Sequence, residues 1–200
     1  MASRKNKALP IAQLETARNF LISEIEYLRN LRGTVWCFIG ASTMIEYLAS
    51  LSKGAAAGRT SYIEFIKEFM RDAYKKFSYR SRHRVHRGPK KFTKEDLPEQ
   101  MYFILRCGLV HGFSLVPTSK EKENGGRERS LTINSRADAV RDNKAHLDNF
   151  SSVYAPDSVY FVDEDLLDDL IAATNKLFAD PAKQKNISKM LQNRPFIWPL

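Results

Sequence analysis

Between residues 11 and 31, IAQLETARNFLISEIEYLRNL, apolar side chains recur at Leu14, Ala17, Leu21, Ile25 and Leu28 with charged residues between them. Steps of three and four follow one face of a helix and predict an amphipathic helix, which Gly33 can end. The next stretch, TVWCFIGASTMIEYLASL at 34–51, is apolar on almost every side, the pattern of a central helix that touches several neighbours. KGAAAGR at 53–59 reads as a loop. Thr60 or Ser61 followed by Glu64 then resembles a helix-starting cap for YIEFIKEFMRDAYKKF at 62–77.

Residues 75–94, KKFSYRSRHRVHRGPKKFTK, break this rhythm and predict an exposed connector interrupted at Gly88-Pro89. Beyond it, Asp96 suits a cap, Pro98 a first turn and Glu99 the positive end of a dipole, so a further helix is expected, ending near Gly112. PTSKEKENGGRER is a polar loop, and SLTIN at 130–134 and SVYFV at 158–162 read as two short strands around a polar excursion. An acid-capped amphipathic helix over 163–180 and a shorter one over 182–193 complete the chain. The expected fold is all-α: a helical bundle in one domain, 1–200, with a small two-stranded β insertion before the last long helix. Residues 114–162 form that loop and β-hairpin insertion.

Composition adjusts this picture in three ways. With 43% hydrophobic and 11% aromatic residues among 200, a core that buries about 70% of the unfolded surface is within reach. Glu46 and several hydroxyls interrupt the most apolar run, and no long apolar segment follows the basic start MASRKNKALP. The expectation is a cytoplasmic chain without membrane contact. Two cysteines, Cys37 and Cys107, stand in apolar surroundings without zinc spacing and read as reduced, buried thiols.

Charge is unevenly placed. The chain carries +9, yet residues 75–94 alone hold nine Lys or Arg and no acid, so the remainder is neutral. Arg80, Arg82, Arg84, Arg87, Lys90 and Lys91, interleaved with Phe77, Tyr79 and Phe92, are the expected nucleic-acid contacts: cations for phosphates and rings for unpaired bases. His83 and His86 read as part of this solvated loop, and His146 as a surface residue. No metal or other cofactor is expected.

One arginine and one histidine stand inside the nearly apolar run ILRCGLVHGF at 104–113. Burying a guanidinium costs several kcal/mol unless an anion or acceptor meets it. Two readings follow. Arg106 pairs internally with Glu46, the one acid of the central apolar segment, while His111 is a neutral histidine bonded to a carbonyl. Alternatively Arg106 receives a phosphate and His111, whose proton moves near neutral pH, is its acid–base partner. That pair is the minimum for cleaving RNA through its own 2′-hydroxyl without a metal.

RCGLVH at 106–111 resembles the Arg-x4-His signature of the HEPN superfamily, and the order of predicted helices over residues 11–180 is also similar. The resemblance implies a helical bundle, commonly a homodimer, in which Arg and His of two chains face a shared cleft and cut RNA without metal. It assigns Arg106 to the phosphate and His111 to proton transfer, with Glu46 and Cys107 as candidate supporting residues. Toxin-type members usually sit beside a small neutralising antitoxin. Two positions depart from the pattern: Cys107 stands where many active members carry a polar residue, often Asn, and Phe113 where some carry Tyr. A relative that binds RNA without cutting therefore stays open, as does a non-catalytic interaction module with a structural Arg106–Glu46 pair. On a straight α-helix five residues turn through about 500°, leaving Arg106 and His111 roughly 140° apart.

Overall fold

Pro10 accepts the first backbone hydrogen bonds of α1 (Ile11–Tyr27), whose buried stripe is Leu14, Ala17, Leu21 and Ile25. The computed structural model describes residues 9–31, 33–76, 78–81, 93–110, 131–150 and 158–193, with the backbone alone at 78–81 and 93–96. A 3-10 turn over Leu28–Asn30 carries the chain off α1, and Leu28 packs on Gly40 so closely that a Cβ there would lie 2.5 Å from Leu28 Cδ2. Gly33, at φ +105, turns the chain into α2 (Thr34–Lys53), and Gly54, at φ +71, ends it. Both glycines occupy the region that side chains rarely adopt.

α2 is the core helix that its sequence predicts. It buries Cys37, Phe38, Ala41, Ile45, Leu48 and Leu51. Contrary to the expectation drawn from Glu46, it is long and apolar enough to cross a membrane, with a mean hydropathy of 1.2 over 18 residues; half of that window is buried inside the protein, as in a core helix. α3 (Arg59–Phe69) starts earlier than expected and on a different cap: Gly58 N–H donates to Ser61 Oγ at 2.9 Å. It also ends earlier. Met70 is extended, and α4 (Ala73–Lys76) is a separate short helix.

β1 (Ser78–Ser81) and β2 (Thr93–Asp96) pair antiparallel, Ser78 opposite Asp96 and Ser81 opposite Thr93. The two ends of the basic connector are thus held side by side; its middle, 82–92, lies outside the described residues. Asp96 thus ends β2 and directly precedes the first residue of the next helix. α5 (Leu97–Gln100) follows and runs directly into a π-helix, Met101–Leu109, which buries Met101, Ile104, Leu105 and Leu109. The predicted end of this helix near Gly112 lies outside the described residues.

The insertion differs from expectation. β3 (Leu131–Asn134), α6 (Arg136–Asp142), β4 (Asp148–Phe150) and β5 (Ser158–Val162) build a three-stranded sheet ordered β3-β5-β4. β5 pairs parallel with β3 and antiparallel with β4, so 131–134 and 158–162 are not a hairpin. Parallel neighbours need a crossover, and the excursion read as polar supplies it, with α6 closed by a reciprocal Ser135–Asp138 cap. β5 is buried on both faces: Val159 and Phe161 enter the main core, while Tyr160 and Val162 pack with Ala139 and Phe150.

α7 (Asp163–Ala179) opens on Asp163, Glu164 and Asp165, favourable charges for a helix start. α8 (Pro181–Asn193) completes the described chain. α2 packs against α3, α7, α8 and the π-helix, and α1 lies along α7. The described residues thus make a mostly helical bundle with a small mixed sheet against one part of it.

Candidate functional site

Arg106 leaves the π-helix toward α2 and meets Glu46. Its Nε donates to Glu46 Oε2 at 2.6 Å and its Nη2 donates to Oε1 at 3.1 Å. Two parallel bonds of this kind fix both the distance and the plane of the guanidinium. The side chains are 20% and 28% exposed respectively, so the pair sits at the edge of the core. The hydrogen bonding to Glu46 raises the Arg106 pKa above its already high value, more than burial lowers it. Arg106 is therefore a fixed cation at any working pH, with two of its five donors committed to Glu46.

The winding of the helix bears on what lies beside Arg106. A π-helix bonds each residue to the fifth along, so residues five apart come to the same side; Val110 N–H, for example, donates to Leu105 O. Tyr102 and Cys107 are such a pair, and Cys107 is among the groups that raise the Tyr102 pKa, after burial. Tyr102 also stands edge-on to Tyr62 with centroids 5.4 Å apart, and Tyr62 shares a 3.1 Å hydrogen bond with Ser42 on α2. From α3, Arg59 lies 4.6 Å over the Phe103 ring and 3.4 Å from Glu99 of α5. The cationic edge of this helix is thus flanked by aromatic rings.

Of the residues singled out in the sequence, the fold brings Arg106 and Glu46 together. Cys107 is a half-buried free thiol on the same helix, and Cys37 is a buried one, its pKa pushed up to about 12 chiefly by burial. Arg80 lies in β1, opposite Lys94. His111, Phe113, Arg82, Arg84, Arg87, Lys90 and Lys91 lie outside the described residues, as do His83 and His86. Among the described residues, no three His, Cys, Asp or Glu side chains gather as metal ligands.

His146 is a correction. Expected at the surface, its side chain is 2% exposed. Val162 N–H donates to its Nδ1 at 2.8 Å, and its Nε2 lies 2.9 Å from Tyr74 Oη. Tyr74 in turn donates to Asp169 Oδ2 at 2.8 Å, which also accepts from Arg71 Nε at 2.9 Å. The sequence held one signal for this network: Asp169 falls between Leu166 and Leu170, on the face of α7 that faces the core.

Fold and site together define a class: a helical bundle with a small mixed sheet and an arginine–glutamate fork at the edge of its core. Compared with protein-family models, with curated proteins and with solved structures, the chain matches none.

Proposed function

We propose that the chain is a HEPN-like, RNA-directed protein of the cytoplasm, a metal-independent endoribonuclease of the defence or toxin type. The observation that carries this reading is Arg106, a permanent cation oriented by two bonds to Glu46 on a π-helical segment. Such segments are rare and are frequent at functional sites.

In this mechanism the 2′-hydroxyl attacks the adjacent phosphorus as its proton passes to a base. The bond from phosphorus to the 5′-oxygen breaks, that oxygen takes a proton, and a 2′,3′-cyclic phosphate remains. His111 moves the proton, and Arg106 offsets charge growing on the phosphate oxygens. Arg80, Arg82, Arg84, Arg87, Lys90 and Lys91 hold the flanking phosphates. A second copy of the chain completes the cleft, and a small neutralising partner masks it. The test pairs an RNA with its DNA copy: the RNA yields 2′,3′-cyclic ends and the DNA is bound but intact. Cut DNA, or RNA products with 5′-phosphates, contradicts the mechanism.

The same fork favours a second reading, a non-catalytic interaction module, because Glu46 already offsets the Arg106 charge from within the chain. The double variant Glu46→Leu with Arg106→Met separates the two. Cutting by the wild type that disappears in this variant supports the enzyme; a wild type that binds without cutting, with binding unchanged in the variant, supports the module.

A further inference from the structure

The four-residue network around His146 has a direction. A backbone N–H can only donate, so the bond from Val162 requires a lone pair on Nδ1 and places the ring proton on Nε2. Nε2–H then donates to Tyr74 Oη, whose own proton goes to Asp169. Every group is satisfied in the neutral state. An imidazolium cannot fit: its Nδ1–H would point at the Val162 N–H.

The backbone that carries His146 is left-handed on both sides. Asn143 and Leu147 have φ of +50 and +70. The second is costly for a leucine, and it is held by burial of the side chain and a 2.7 Å bond from Leu147 N–H to Tyr160 O. We infer that segment 143–147 is a proton-operated latch, in which proton uptake at His146 Nδ1 breaks the bond to Val162 and frees the segment from α4 and α7.

The charged groups around the ring set the balance. Arg71 beside α4 and Arg136 on α6 oppose the imidazolium, and burial opposes it more, holding the His146 pKa at about 3. Asp169 on α7, 3.7 Å from Nε2, favours it, but its Oδ2 already accepts from Tyr74 and Arg71. Asp165 lies one turn earlier on α7 and acts on Tyr74; Lys144 lies within the segment, and Asp142 and Asp148 flank it. A released segment regains an ordinary histidine, near 6.5. Tyr74 anchors α4, which runs into β1 and the basic connector, so opening loosens the root of that connector.

Amide hydrogen exchange on the full chain, corrected for intrinsic rates, tests this between pH 7 and pH 4. The opening constants at Leu147 and Val162 rise about tenfold per pH unit below 6.5, since one proton is taken up per opening. Ile45 and Leu48 in α2, which open only on global unfolding, share that pH factor but stay more protected than the two latch amides at every pH. In His146→Asn, which keeps an acceptor near the Nδ1 position and does not titrate, the two latch amides show no such rise. The wild-type chain decides the matter alone if that variant does not fold. Constant protection at Leu147 and Val162, or protection there equal to that of Ile45 and Leu48 at every pH, overturns the latch; so does an unchanged rise in the folded Asn variant.

Discussion

A guanidinium at the edge of a core is tolerable because a carboxylate meets it at two points, and that makes the Arg106–Glu46 pair easy to break and easy to replace. Glu46→Ala leaves the Arg106 charge partly buried without this partner and is expected to cost about 1–3 kcal/mol by urea unfolding. Glu46→Leu with Arg106→Met recovers most of that loss, because no charge is then left behind. His146 gives a pH dependence of definite sign. Its pKa is about 3 when folded, below the ordinary 6.5, so the unfolded chain binds the proton more tightly. Stability conferred by the neutral ring is complete above pH 6.5 and lost as the pH falls toward 3, at up to about 1.4 kcal/mol per unit. Asp169, held above the usual carboxylate range mainly by burial, works in the opposite sense and returns part of the loss at the acid end. Urea midpoints at pH 7 and pH 5 check this: the wild-type midpoint falls, and that of His146→Asn falls less.

Among the helices, the contact of Leu28 with Gly40 fixes how α1 meets α2. Gly40→Ala places a Cβ 2.5 Å from Leu28 Cδ2, so Leu28 must move; the expected loss is about 1–3 kcal/mol. Adding Leu28→Ala removes the clash, and the two losses are therefore less than additive in a double-mutant cycle. Helices that bury a regular stripe were legible in the sequence, as α1, α2, α7 and α8 show, because one face of each meets the core along its whole length. Elements decided by tertiary contact were not. Nothing in FMRDAYKKF breaks a helix, yet Met70 is extended and Tyr74 sits on a separate turn, where it meets His146 and Asp169. The parallel pairing of β3 with β5 was hidden for a similar reason: short strands carry an alternation but no partner. The π winding of Met101–Leu109 has no periodic signature of its own in nine residues. Arg106 and Glu46 were legible as a pair because each is the lone acid or base in an apolar run; the His146 network was not, because its members come from separate elements far apart in sequence.

For the whole molecule, the unequal distribution of charge matters most. With the excess confined to residues 75–94, the proposed RNA binding is expected to depend on that segment and on salt. If six of its cations meet single-stranded RNA, log affinity falls with log salt at a slope near −4, from about 0.7 per contact. Replacing Arg80, Arg82, Arg84 and Arg87 with Ser flattens the slope, and an affinity that ignores both salt and these changes contradicts the assignment. The proposed shared cleft predicts a homodimer, which light scattering at micromolar concentration reads directly. The central claim is cleavage by Arg106 and His111 without a metal. Its most direct test is mixed-sequence RNA incubated in EDTA with the wild-type chain and with Arg106→Ala and His111→Ala side by side. Loss of a charge-stabilising donor or an acid–base group costs about 10² to 10⁴ in rate. The account predicts cutting by the wild type and none detectable in either variant, with RNA binding weakened far less; an inactive wild type, or variants that cut as well as it does, contradicts it.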